Sequence, residues 1–149
     1  MVQHIEAAAN SVGITAFITN SEDKIETQLN RLTGAGDLPI MLVSWDIDTD
    51  LTFDSHGFLL NPASKIVALL MTKSQDLTKD DMEQAAVSMG TLFQDFIKAL
   101  YDILAPLQLN ETVAITECTY KLVPKHGMGK HSGVLARWKM RSEINNCQA

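Results

Sequence analysis

Between Thr78 and Pro106 the chain carries an apolar stripe at helical spacing: Met82, Ala85, Ala86, Met89, Phe93, Phe96, Ile97, Leu100 and Leu104. Residues three and four apart lie on one helix face, so this segment has one broad apolar side that must be covered. Asp80, Glu83, Gln84, Gln94, Asp95, Lys98 and Asp102 fall away from that side. Thr78 is placed to cap the first turn, with Asp81 at the capping-box position, and Pro106 limits the helix. The spacing predicts one continuous helix over 79–105, about 40 Å long at 1.5 Å per residue.

The segments around this helix read mostly as strands. Residues 65–72 are apolar on both faces, as in a central strand covered from each side. Residues 134–141 alternate: Val134, Ala136, Trp138 and Met140 face one way, Leu135, Arg137, Lys139 and Arg141 the other. Residues 112–123 form a long strand in which Ala114, Thr116, Cys118, Tyr120 and Leu122 share a face. A Gly-rich turn over 124–132 joins these two strands into a closing hairpin. Pro39 opens a strand over 40–47, with Met41, Val43, Trp45 and Ile47 on one face. Trp45 and Trp138 both read as core.

Near the N-terminus, residues 3–12 have Ile5, Ala8, Ala9 and Val12 at helical spacing, and 14–19 is a short strand candidate. Ser21 begins a second short helix with acids in its first turn, Ile25, Leu29 and Leu32 on one face, and Gly34 and Gly36 at its end. Residues 46–62 form a polar connection. The fold class is α+β: an antiparallel or mixed β-sheet packed by one long helix, with short N-terminal helices and a closing β-hairpin. A chain of 149 residues makes one domain, 1–149.

Charge is divided along the chain. Residues 1–117 hold six Lys/Arg and 17 Asp/Glu; residues 118–142 hold six Lys/Arg and no acid. An acidic body thus carries a basic final segment, within an overall charge of −6. That balance argues against general nucleic-acid binding. Opposite fields on one rigid subunit suit head-to-tail association. Two cysteines give no disulfide framework and point to a reducing compartment. The first residues lack the basic start and apolar run of a signal peptide. The longest uninterrupted apolar run, 66–71, is far short of the roughly 20 residues that cross a bilayer, so no membrane association is expected.

The candidate sites are groups of charges. Lys121, Lys125, Lys130, Arg137, Lys139 and Arg141 make up the basic hairpin. Arg137, Lys139 and Arg141 are two apart and share a strand face, and Lys121 joins them across the hairpin. Such a face repels itself, and partner carboxylates or phosphates would relieve it. Asp46, Asp48, Asp50 and Asp54 make up an acidic loop that would meet it on an adjacent subunit. The first three have the spacing that opens a calcium loop, but Leu51 stands where that loop needs Gly and Gly57 where it needs Glu. His126 and His131 flank the hairpin turn, where a metal would still need two more ligands, with Cys118 and Cys147 the available thiols. There is no Gly-x-Ser-x-Gly, neither cysteine has a His-bearing motif, and the turn joins two strands, so it is no phosphate loop. The chain is therefore read as neither an enzyme nor a cofactor-binding protein.

The order of elements over 21–142, with one long helix and a closing hairpin (112–122 and 134–141), resembles the tail terminator and neck proteins of tailed bacteriophages. That resemblance implies a structural protein that forms a homo-oligomeric ring, often of six subunits, at the end of the tail tube. It implies other tail or connector proteins as partners and a place in the virion after synthesis in the host cytoplasm; the charge of the basic hairpin adds DNA entering the tail as an alternative, non-specific contact. The competing reading is a small acidic chaperone of the secretion type, which works as a dimer, or another protein-binding module.

Overall fold

A computed structural model describes residues 2–19, 39–44, 49–51, 53–58, 63–74, 76–107, 115–126 and 130–141. The chain is α+β, a mixed sheet with one long helix lying on it. In order it runs α1 (Val2–Ser11), β1 (Thr15–Thr19), β2 (Ile40–Ser44), β3 (Thr49–Asp50), β4 (Ala63–Lys73), α2 (Lys79–Leu104), a 3-10 turn (Ala105–Leu107), β5 (Ile115–His126) and β6 (His131–Arg141). The strands lie in the order β1-β2-β4-β6-β5, and the short β3 pairs with the start of β4. β1 runs parallel to β2; every other pairing is antiparallel. The helix expected from Ser21 onward, Trp45 and the acids at 46 and 48 lie outside the described residues.

α1 buries Ile5, Ala8 and Ala9, as its spacing predicts. It ends in a left-handed turn at Gly13 (φ +80), where Ile14 N–H reaches Ala9 O at 2.9 Å and Gly13 N–H reaches Asn10 O at 3.2 Å. These paired bonds satisfy the last carbonyls of the helix. The buried Ile14 then leads into β1.

β4 is the central strand that its two-sided apolar pattern predicts, flanked by β2 and β6. Ile66, Ala68 and Leu70 face α2 and join the main core, whereas Leu69 and Met71 join Leu42 in a smaller cluster on the opposite face. Gly133 of β6 sits opposite Met71, and a Cβ there would run into the Leu70 carbonyl. Only glycine lets β6 approach β4 this closely.

α2 is one continuous helix. Thr78 caps it, its Oγ1 accepting the Asp81 N–H at 3.2 Å. Ala86, Met89, Phe93, Phe96, Leu100 and Leu104 are buried, matching the predicted stripe. Phe93 and Phe96 meet Trp138 of β6 with ring centroids 5.9 Å apart in each case. Trp138 is core, as expected.

The closing hairpin forms, but its bounds and faces differ from the sequence expectation. Among the described residues β5 runs on to His126, past the expected end at 123, and β6 begins at His131, ahead of the expected 134, while 112–114 lie outside the described residues. Pro124 is accommodated because β5 is an edge strand. The uniform alternation expected from Ala114 to Leu122 is broken. Thr116 pairs with Lys139 and Thr119 with Arg137, three residues on β5 against two on β6. Glu117 takes up the extra residue with φ +52. Before this bulge odd-numbered positions side with the core (Ile115 opposite Met140); after it even-numbered ones do (Tyr120 opposite Ala136). Ile115 therefore shares the core-side face with Tyr120 and Leu122, which uniform alternation would not give.

Candidate functional site

The face of the sheet turned away from α2 carries the basic residues. Strand alternation places Arg137 and Lys139 there, and cross-strand register adds Lys121, opposite Leu135. Register also brings in Lys65 of β4, directly opposite Lys139. The linear sequence gives no hint of that neighbour, because the two positions are far apart along the chain. Like charges placed directly opposite repel. The fold answers with Glu117, whose carboxylate lies 2.8 Å from Lys139 Nζ. The bulge that swings Glu117 out of register therefore supplies the basic strip with an acid of its own. Lys65, Lys121 and Arg137 are exposed and Lys139 is half-buried.

The six hairpin cations do not form one patch. Lys121, Arg137 and Lys139 belong to the strip. Arg141 ends β6 opposite Ala63. Lys125 and Lys130 are exposed at the hairpin tip, about 30 Å along the strand from Lys139 at 3.3 Å per residue. The tip is tied to the sheet where Ser74 N–H donates to Lys130 O at 2.9 Å.

The acidic loop is divided as well. Asp50 ends β3 opposite Ala63, in the same row of the sheet as Arg141. Asp54 builds a turn: its Oδ1 accepts from His56 N–H at 2.8 Å and Phe58 N–H at 2.9 Å. Its own N–H donates to Phe58 O at 2.9 Å, and Gly57 closes the turn with φ +83. One oxygen of this carboxylate thus organises its own loop. Among the described residues no group of three or more His, Cys, Asp or Glu is placed to hold a metal ion. His126 and His131 are cross-strand partners, with His131 buried. Cys118 lies about 25 Å along β5 from them, out of reach of a shared ion.

Two further features were hidden in the sequence. α2 and β5 leave an open groove of about 420 Å³ lined by Phe93, Gln94, Ile97, Lys98, Tyr101, Cys118 and Tyr120. Gln94 Nε2 donates to the Tyr120 hydroxyl at 2.6 Å and fixes that ring against the helix. Although Cys118 is exposed, partial desolvation against the groove wall pushes its thiol above the ordinary range. Tyr101 and Lys98 sit three apart on the flank of the apolar stripe, which is the one signal the sequence offered. The even-numbered face of β5 reaches the groove only because of the bulge. The second feature is the Asp54 turn, which displays Leu51, Phe53 and Phe58 to solvent at 60%, 60% and 71% exposure.

No protein-family model matches the chain, and no curated protein matches it. Among the described residues no helix is long and apolar enough to cross a membrane.

Proposed function

We propose that this protein is a structural subunit that assembles head to tail into a ring, of the kind found in phage tails and necks. The observation that supports this reading is the separation of charge between the two layers. The exposed surface of α2 carries Asp80, Asp81, Glu83, Asp95 and Asp102 against Lys79 and Lys98. The sheet face on the other side carries Lys65, Lys121, Arg137 and Lys139, with Glu117 beside Lys139. A subunit with opposite charge on opposite layers is biased toward contacts between unlike surfaces, which close into rings when the rotation permits. The α+β order of sheet, long helix and closing hairpin fits the same reading. Partners would be further copies and neighbouring tail or connector proteins, with DNA as a third candidate for the basic strip. The site would then be the virion, and no catalytic step is assigned.

The α2 carboxylates join those of the acidic loop as candidate partners for the strip. Sedimentation at graded salt and negative-stain microscopy test the proposal. A multi-subunit ring weakened by salt is the expected result, because exposed charges are screened over about 8–10 Å. Lys121→Glu with Arg137→Glu should abolish the ring and leave thermal unfolding near that of the parent, since both positions are exposed. A stable dimer indifferent to salt would overturn the ring and favour the chaperone reading.

A further inference from the structure

The Asp54 turn and the α2–β5 groove are both apolar and lie at opposite sides of the sheet. The turn is closed by the backbone and carboxylate bonds of Asp54, so Phe53 and Phe58 project from a preformed scaffold. Rigid exposed aromatics seated in a partner's apolar cavity are the usual anchors of an interface. The groove offers such a cavity. Phe93, Ile97, Tyr101 and Tyr120 form its apolar walls, and its volume is in the range that accepts a bulky side chain. Lys98 is the charged residue that lines it, with Asp95 and Asp102 beside it on the exposed helix. The two features also lie at opposite lateral sides of the sheet: β3 leads to the turn from the flank of β4 remote from β6, and β5 bounds the groove at the far edge.

We infer that the Phe53/Phe58 turn of one copy docks into the Phe93–Tyr120 groove of the next copy. The occupant is a second copy because knob and cavity occur on one chain and lie at opposite sides of one sheet, as a head-to-tail contact requires. Such a contact is heterologous, so each subunit has a free knob on one side and a free groove on the other. This inference rests on the head-to-tail reading and supplies it with an apolar lateral contact, separate from the basic strip.

Cysteine trapping tests it, because Cys118 already lines the groove. In a Cys147→Ser background, Phe58→Cys should give a ladder of intermolecular crosslinks under mild oxidation or with a short bis-maleimide. Adding Cys118→Ser should abolish the ladder. Val87→Cys, at an exposed position on α2, serves as the collision control. Crosslinking no better than that control, or crosslinking that survives Cys118→Ser, would overturn the contact. Sedimentation of the parent and of Phe53→Ser with Phe58→Ser separates the two ideas. A parent ring that the double variant also forms removes this contact and leaves the ring standing. A parent that is a stable dimer removes the head-to-tail reading itself.

Discussion

Phe93→Ala should be among the most damaging single substitutions in this protein. Phe93 is 1% exposed and sits where α2 meets both strands of the hairpin. Its ring lies 5.8 Å from Phe96, 5.6 Å from Tyr120 and 5.9 Å from Trp138. Truncating a buried Phe costs about 3–5 kcal/mol in lost transfer energy and residual cavity. Three aromatic contacts, each about 0.5–1.5 kcal/mol beyond area burial, argue for the upper part of that range. Phe93 also walls the groove, so the space left behind opens to solvent instead of staying empty, which trims the cavity penalty. The balance is about 4 kcal/mol, or a fall in Tm of about 10–15 °C for a chain of this size. Urea unfolding followed by tryptophan fluorescence measures it, because Trp138 reports on this cluster. Phe96→Ala, with its two ring contacts at Phe93 and Trp138, should follow closely. A Phe93→Ala protein that unfolds within about 1 kcal/mol of the parent would refute the view that α2 on the hairpin is the main core.

Two further outcomes follow from particular contacts. Gly133→Ala should cost roughly 3 kcal/mol or more, because its methyl would meet the Leu70 backbone rather than a movable side chain; an unchanged urea midpoint would show that β6 can shift away from β4. Cys118 is exposed and open to reagents, but its alkylation by iodoacetamide should accelerate only as pH rises past the range of a free thiol, because partial desolvation disfavours its thiolate. By linkage, its raised folded pKa contributes stability that is present below the unfolded value and lost as pH climbs through the folded one. A Cys118→Ser variant should lose that alkaline sensitivity, and equal slopes of stability against pH in the two proteins would contradict it.

What the sequence determined by itself is everything carried by local periodicity. The α2 stripe from Met82 to Leu104 could bury only as a helix, and Thr78 and Pro106 marked its limits. The two-faced apolar run of β4 required a central strand, and the alternation of Val134, Ala136, Trp138 and Met140 with Leu135, Arg137 and Lys139 assigned both faces of β6. These features need only the 3.6- and 2-residue repeats of the backbone. The tertiary structure decided whatever depends on which residues stand opposite one another. The bulge at Glu117 is a mismatch in count between β5 and β6, and neither strand shows it alone. It moved the face of β5 by one residue, brought Cys118 and Tyr120 to the groove, and set Glu117 on Lys139. Register likewise placed Lys65 beside Lys139. Hydrogen bonding made Asp54 the centre of a turn. Pairing across strands is set by long-range packing and hydrogen-bond satisfaction, and no repeat within one strand records it.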